Sequence, residues 1–156
     1  MIVFESSAKF LQFLHWIAAI ASIAACAHLI VRTAKSRQDR RAYVHARTLT
    51  VAYLSLYCLG SVVYPTFRVR VRAGFLDNMY PWATGLFEIK EQAATLALLP
   101  VVGIFLLTRQ AFSPRSTSGR APNTHAPLLL SMSSLVMLVL VFNACVGWYL
   151  GTLKGP

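Results

Sequence analysis

A chain of 156 residues with 56% apolar side chains, 13% charged ones and a mean hydropathy of +0.57 is too oily for a soluble domain that must present a charged surface. Its formal charge of +10 would suggest nucleic acid in a soluble protein, but the charge sits almost wholly in connections between apolar runs. Attraction to anionic lipid headgroups accounts for it there, and no nucleic-acid partner is expected.

The runs cover residues 10–31, 48–66, 83–108 and 127–150. Each meets or approaches the roughly 20 helical residues that cross a hydrocarbon core of ~30 Å. The predicted fold class is all-α: a polytopic transmembrane four-helix bundle, up-down-up-down, forming a single domain in the lipid bilayer. A chain of this size leaves no room for a separate soluble catalytic module.

In the first run, Ala18, Ala19, Ala21, Ser22, Ala24 and Ala25 give a narrow waist where a neighbouring helix can approach closely. Gln12, His15 and Trp16 lie near one end. Ile23-Ala24-Ala25-Cys26 resembles a lipoprotein cleavage box, but Glu5 against a single Lys9 replaces a basic leader, so the run is expected to be retained. The basic connection from Arg32 to Arg47 predicts an antiparallel hairpin with the second run. There, Thr50, Tyr53, Tyr57, Ser61, Tyr64 and Arg68 follow at offsets of 3, 4, 4, 3 and 4, which puts them on one helical face.

Between runs two and three, residues 67–82 interleave Arg68, Arg70 and Arg72 with aromatic and aliphatic groups, the composition of an interfacial loop, with a turn at Asp77-Asn78. Run three carries Glu88, Glu91, Gln92 and Thr95 on one face early in its length, and Lys90 is expected on another side. Pro100 removes a backbone bond and predicts a kink near Gly103. Residues 109–126 have the Ser, Thr, Pro, Gly and Arg content of a mobile cytoplasmic loop. The last run holds Asn143 about two turns before Trp148-Tyr149, an aromatic marker of the outer interface, and Ser131, Ser133 and Ser134 read as helix-packing hydroxyls.

Nine lysines and arginines fall in the first and third connections against five on the opposite side, which places the termini outside a bacterial inner membrane by the positive-inside rule. With that orientation His15, Tyr57, Ser61, Glu88, Glu91 and Asn143 lie at similar depth, roughly 5 to 15 Å below the outer interface at about 1.5 Å per residue. A carboxylate at mid-span opposes insertion by about 2.5 to 3.5 kcal/mol, so these groups are expected to face inward, in a polar cleft open to the outside and roofed by the arginine-bearing loop.

Such a cleft admits two uses. Arginine can neutralise glutamate while Tyr57, Tyr64 and Asn143 satisfy the remainder, so that the cluster only fixes packing. Alternatively His15, Tyr57, Tyr64, Arg68, Arg72, Glu88, Glu91 and Asn143 form a ligand or proton site, suited to a quinone headgroup, a cation or proton-coupled transport. Two carboxylates one turn apart repel if both are ionised, which favours a retained proton.

His15 is also a possible ligand for one b-type haem. Two stacked haems do not fit, because thirteen residues between His15 and His28 leave the imidazoles roughly 140° apart around the helix. His28 reads as an interface anchor, and His45 and His125 as solvated loop residues. No HExxH, phosphate cradle or serine triad pattern occurs, so the chain leans away from enzymes, and a single chain of this size leaves little room for a pore. Cys26, Cys58 and Cys145 fall inside runs with no CxxC pair, which indicates buried apolar residues rather than disulfides or zinc.

Tyr64-Pro65-Thr66-Phe67-Arg68, then Val71-Arg72, then Phe87-Glu88-Ile89-Lys90-Glu91 resemble small uncharacterised bacterial four-helix membrane proteins. These carry a Tyr-Pro-x-aromatic-Arg stretch after one helix and a Phe-Glu-x-Lys-Glu stretch opening the next. Their second glutamate is often followed by histidine, where this chain has Gln92. The resemblance covers about 30 residues, implies no activity, and adds weight to Arg68, Arg72, Glu88 and Glu91. The expectation is an accessory or binding subunit of a larger membrane complex, partnered by other subunits or by copies of itself.

Overall fold

The computed structural model describes residues 7–35, 40–111 and 125–153, and its elements are all helical. They are α1 (Ala8–Ala34), α2 (Arg40–Phe67), a π-helical segment (Arg68–Leu76), α3 (Asp77–Met79), α4 (Pro81–Leu96), α5 (Leu98–Ala111) and α6 (Ala126–Leu153). Four stretches are long and apolar enough to cross a membrane: Lys9–Ala34, Arg40–Pro65, Pro81–Gln110 and Ala126–Leu153. The second begins eight residues before the apolar run, so His45 lies in a helix rather than in a loop.

The arginine-rich connection is not a loop. α2 passes Pro65 near its end and continues as a π-helix, in which the Asp77 amide bonds to the Arg72 carbonyl five residues back. Asn78 Nδ2 donates to the Ala73 carbonyl at 3.2 Å with the same spacing. The anticipated Asp77-Asn78 turn is the short α3, and the chain leaves helical geometry at Tyr80, with φ −142° and ψ 68°. Pro81 explains both facts, because its ring disfavours helical geometry in the preceding residue while suiting the first turn of α4.

Pro100 acts one turn earlier than Gly103. With no amide hydrogen it leaves the Leu96 carbonyl without its usual partner, and the break between α4 and α5 falls at Ala97. The axis is not lost there, since the Ala97 and Val101 amides still reach the Ala93 and Ala97 carbonyls. Gly103 serves a different purpose, taking the terminal methyl of Met132 from α6 against its backbone. Most of the third connection, residues 112–124, lies outside the described residues.

Packing follows chain order: α1 lies along α2, α2 along α5, α5 along α6, and α6 returns to α1. The alanine waist behaves as its composition suggests, with Ala18, Ser22, Ala25 and Leu29 of α1 and Ala42, Ala46 and Leu49 of α2 all buried. The Cys26 thiol donates to the Ser133 carbonyl of α6 at 3.2 Å, whereas Cys58 and Cys145 are exposed. His28 and His45 stack at 5.1 Å across the α1–α2 contact.

Two apolar clusters result. The larger joins Ala25, Leu29, Ala46, Leu49, Tyr53, Ala97, Val101, Ile104, Val136 and Leu140. The smaller joins Leu76, Ala83, Phe87, Val146 and Leu150 under the π-helical segment. Because Ala46 is fully buried at the closest helix contact, Ala46→Leu is expected to overpack it and destabilise the fold by about 1–3 kcal/mol. Unfolding in mixed micelles checks this, with Ala24→Leu on the exposed side of α1 as a neutral control.

Candidate polar site between α1, α2 and α4

On α2 and α4 the stretch between the two apolar clusters carries Tyr57, Lys90 and Glu91. The space they occupy arises from the break at Ala97. α2 packs closely along α5 but not along α4, which instead lies against α6 and the π-helical segment. Long side chains therefore span the distance from α2 to α4. Tyr53 donates its hydroxyl to the Ala94 carbonyl at 2.8 Å, and the Tyr57 hydroxyl lies 3.2 Å from Thr95 Oγ1. Further along, the Phe87 ring stacks between Phe67 at 4.3 Å and Tyr64 at 6.1 Å.

His15 enters this layer from α1. Its ring rests on the Leu56–Gly60 turn of α2, so closely that a Cβ on Gly60 would sit 3.4 Å from its Cε1. Nδ1 is buried without a partner, and the Leu56 backbone and the Lys90 ammonium lie close enough to act electrostatically on the imidazole. With one ring edge on Gly60, the imidazole packs against α2. His28 and His45 engage each other, and no cluster of three metal-ligating groups occurs among the described residues. The haem alternative finds no support in this arrangement.

Lys90 does lie on another side of α4 than the glutamates, and that side is the inward one. Its Nζ lies 5.0 Å from the centre of the Phe87 ring and within electrostatic range of His15 and Glu91. Ala83, Phe87, Ala97, Val101 and Ile104 are buried and, with half-buried Ala94, repeat at heptad spacing; Lys90 falls in the same strip. This strip takes the inward face of α4. The glutamate seam consequently lies further round the helix, with Glu91 half-buried and Glu88, Gln92 and Thr95 exposed. An open groove of about 400 Å³ lined by Glu91, Gln92, Thr95 and Leu96 marks the flank. The glutamate seam, expected to face inward, thus lies on the flank, where Glu91 joins the interior layer to a lateral groove.

Above this layer Arg72 organises the rim. One guanidinium nitrogen donates to Glu88 Oε1 at 2.6 Å and Nε lies 3.8 Å from Asp77 Oδ1, while Thr84 donates to that same oxygen at 2.6 Å. Desolvation opposes the charge on Arg72, but the hydrogen bond and charge of Glu88, with Asp77 and Tyr64, outweigh it and raise the guanidinium above its ordinary range. Among the predicted site residues, His15, Tyr57, Tyr64, Arg72, Glu88 and Glu91 belong to the layer and its rim. Arg68 is exposed at the start of the π-helical segment, and Asn143 donates to the Val139 carbonyl of its own helix at 2.8 Å.

Comparison with family models, curated proteins and solved structures gives no match. The Arg72–Glu88 contact is partly solvated, so a double-mutant cycle with Arg72→Gln and Glu88→Gln is expected to give a coupling of about 0.2–1 kcal/mol, screened by salt. A coupling of zero at low ionic strength would remove Arg72 from the rim.

Proposed function

We propose that the chain is an integral protein of a bacterial inner membrane that crosses the bilayer four times, up-down-up-down, with both termini outside. It serves there as an accessory or binding subunit of a larger assembly. The four helices of membrane-spanning length and the charge difference between connections support the crossings and their direction. The resemblance at Tyr64–Arg68 and Phe87–Glu91 points to the same class of protein.

The observation that carries the subunit role is the exposure of Gln92 and Thr95 about midway along Pro81–Gln110. An amide facing acyl chains has nothing to bond to, and polar groups inside spans pair across helices or line cavities. The lateral groove beside them accepts groups from a neighbouring chain. A second reading draws on a different observation, that His15, Lys90 and Glu91 lie within electrostatic range of one another between helices, which suits a quinone headgroup or proton-coupled transport.

Purification from the native membrane in mild detergent is expected to yield a particle larger than one chain with its micelle. A monomer in both detergent and lipid nanodiscs would overturn the subunit role. The second reading predicts quinone in lipid extracts of the purified protein, reduced in Glu91→Gln at unchanged folding. Equal loss of expression would return Glu91 to a packing role. For orientation, alkaline phosphatase is expected to be active when fused after Leu153 and inactive when fused at Thr117, and the reverse pattern would invert the proposed topology.

A further inference from the structure

We propose that the flank of α4 and α5 pairs with a second copy of this chain, the two helices running parallel about a two-fold axis along the membrane normal. This rests on the subunit reading above and names the partner. Glu88, Gln92, Thr95, Leu99, Val102 and Leu106 follow at alternating offsets of 4 and 3, and every one is exposed. That is the heptad spacing of left-handed helix pairs, and it runs through Ala97 because the flanking amides keep their bonds there.

The chemistry of the strip selects its own copy as partner. Leu99 is 75% exposed and Leu106 48%, so the half nearer Arg109 is apolar, whereas the half nearer Pro81 carries an amide, a hydroxyl and a carboxylate. Any partner helix must change from apolar to polar at the same depth. Copies inserted in one direction meet that condition automatically, since a parallel two-fold places each residue opposite itself.

Gln92 is suited to such self-contact because an amide both donates and accepts, and two of them can bond reciprocally. The Thr95 hydroxyl is already engaged within its own chain, donating to the Glu91 carbonyl at 3.0 Å and lying 3.2 Å from the Tyr57 hydroxyl, so the polar contact across the seam falls to Gln92. Glu88 alone would meet its like charge, but each carboxylate carries Arg72 at 2.6 Å, so neutral pairs face each other at the rim. Lys90 is turned to the interior of its own chain and brings no ammonium into the seam. The groove at Glu91, Gln92, Thr95 and Leu96 gives the facing side chains a recess. By contrast, Ile20 on α1 and Leu135, Leu138 and Val141 on α6 present exposed hydrocarbon at mid-span, which acyl chains cover equally well.

Disulfide scanning in intact membranes tests the seam, in a background of Cys26→Ser, Cys58→Ala and Cys145→Ala. Mild oxidation is expected to give covalent dimers from Gln92→Cys, Thr95→Cys, Leu99→Cys and Val102→Cys, and only background from Ile20→Cys or Leu138→Cys. In the Leu99→Cys chain, adding Gln92→Leu is expected to cut dimer yield about 3- to 10-fold, while Gln92→Asn retains most of it. Equal yield at seam and control positions would overturn the pairing. A thiol-reactive benzophenone, which inserts into neighbouring C–H bonds on illumination, separates the two levels: linkage of Leu99→Cys to a chain of different mass overturns self-pairing but upholds the subunit role, and linkage to no protein overturns both.

Discussion

Pro100 has no amide hydrogen for the Leu96 carbonyl, and the form of the site follows from that missing bond. The third long stretch is divided at Ala97, its second half packing on α2 and its first half standing off. Backbone separation is then taken up by side chains of increasing reach: Tyr53 to the Ala94 carbonyl, Tyr57 to Thr95, then the rings of Tyr64 and Phe67 around Phe87. Close helix packing would have left no place for His15 and Lys90. A gap filled by aromatic rings admits both, with apolar clusters on either side to exclude water from all but the polar layer.

Much of the architecture is visible in the residues themselves because a membrane span has one dominant requirement, an uninterrupted apolar length. Four runs meet it and four stretches of spanning length result, the third divided at Ala97, although Arg40–Arg47 add two turns to α2 that hydropathy alone assigns to a connection. The arginine-rich segment is harder to read. Aromatic rings alternating with arginines describe where a segment sits, not how it winds, and no breaker stands between Pro65 and Pro81 except Gly74. Helix therefore persists until proline forces Tyr80 out of it.

For the site, helical phase identified which residues share a face but not which face is inside. The assumption that carboxylates must turn inward assigned the glutamate seam to the interior and Lys90 elsewhere. Packing reversed that assignment, since the strip from Ala83 to Ile104 buries more hydrocarbon and claims the core. Lys90 accompanies it, its long stem lying along apolar surface and its ammonium near the Phe87 ring. Asn143 shows a similar limit: depth placed it with the cluster, but a hydrogen bond to its own backbone occupies the amide, as polar residues in helices commonly do.

The π-helical winding of residues 68–76 has one more effect. In an α-helix Arg72 and Asp77 would point about 140° apart, five positions of 100° each. Wound by five, they become vertical neighbours, and one guanidinium can hold the acid of its own segment and the acid of the next helix together. The rim over the polar layer is thereby held by pitch instead of by loop length: the wider turn lets the single guanidinium of Arg72 clasp both acids.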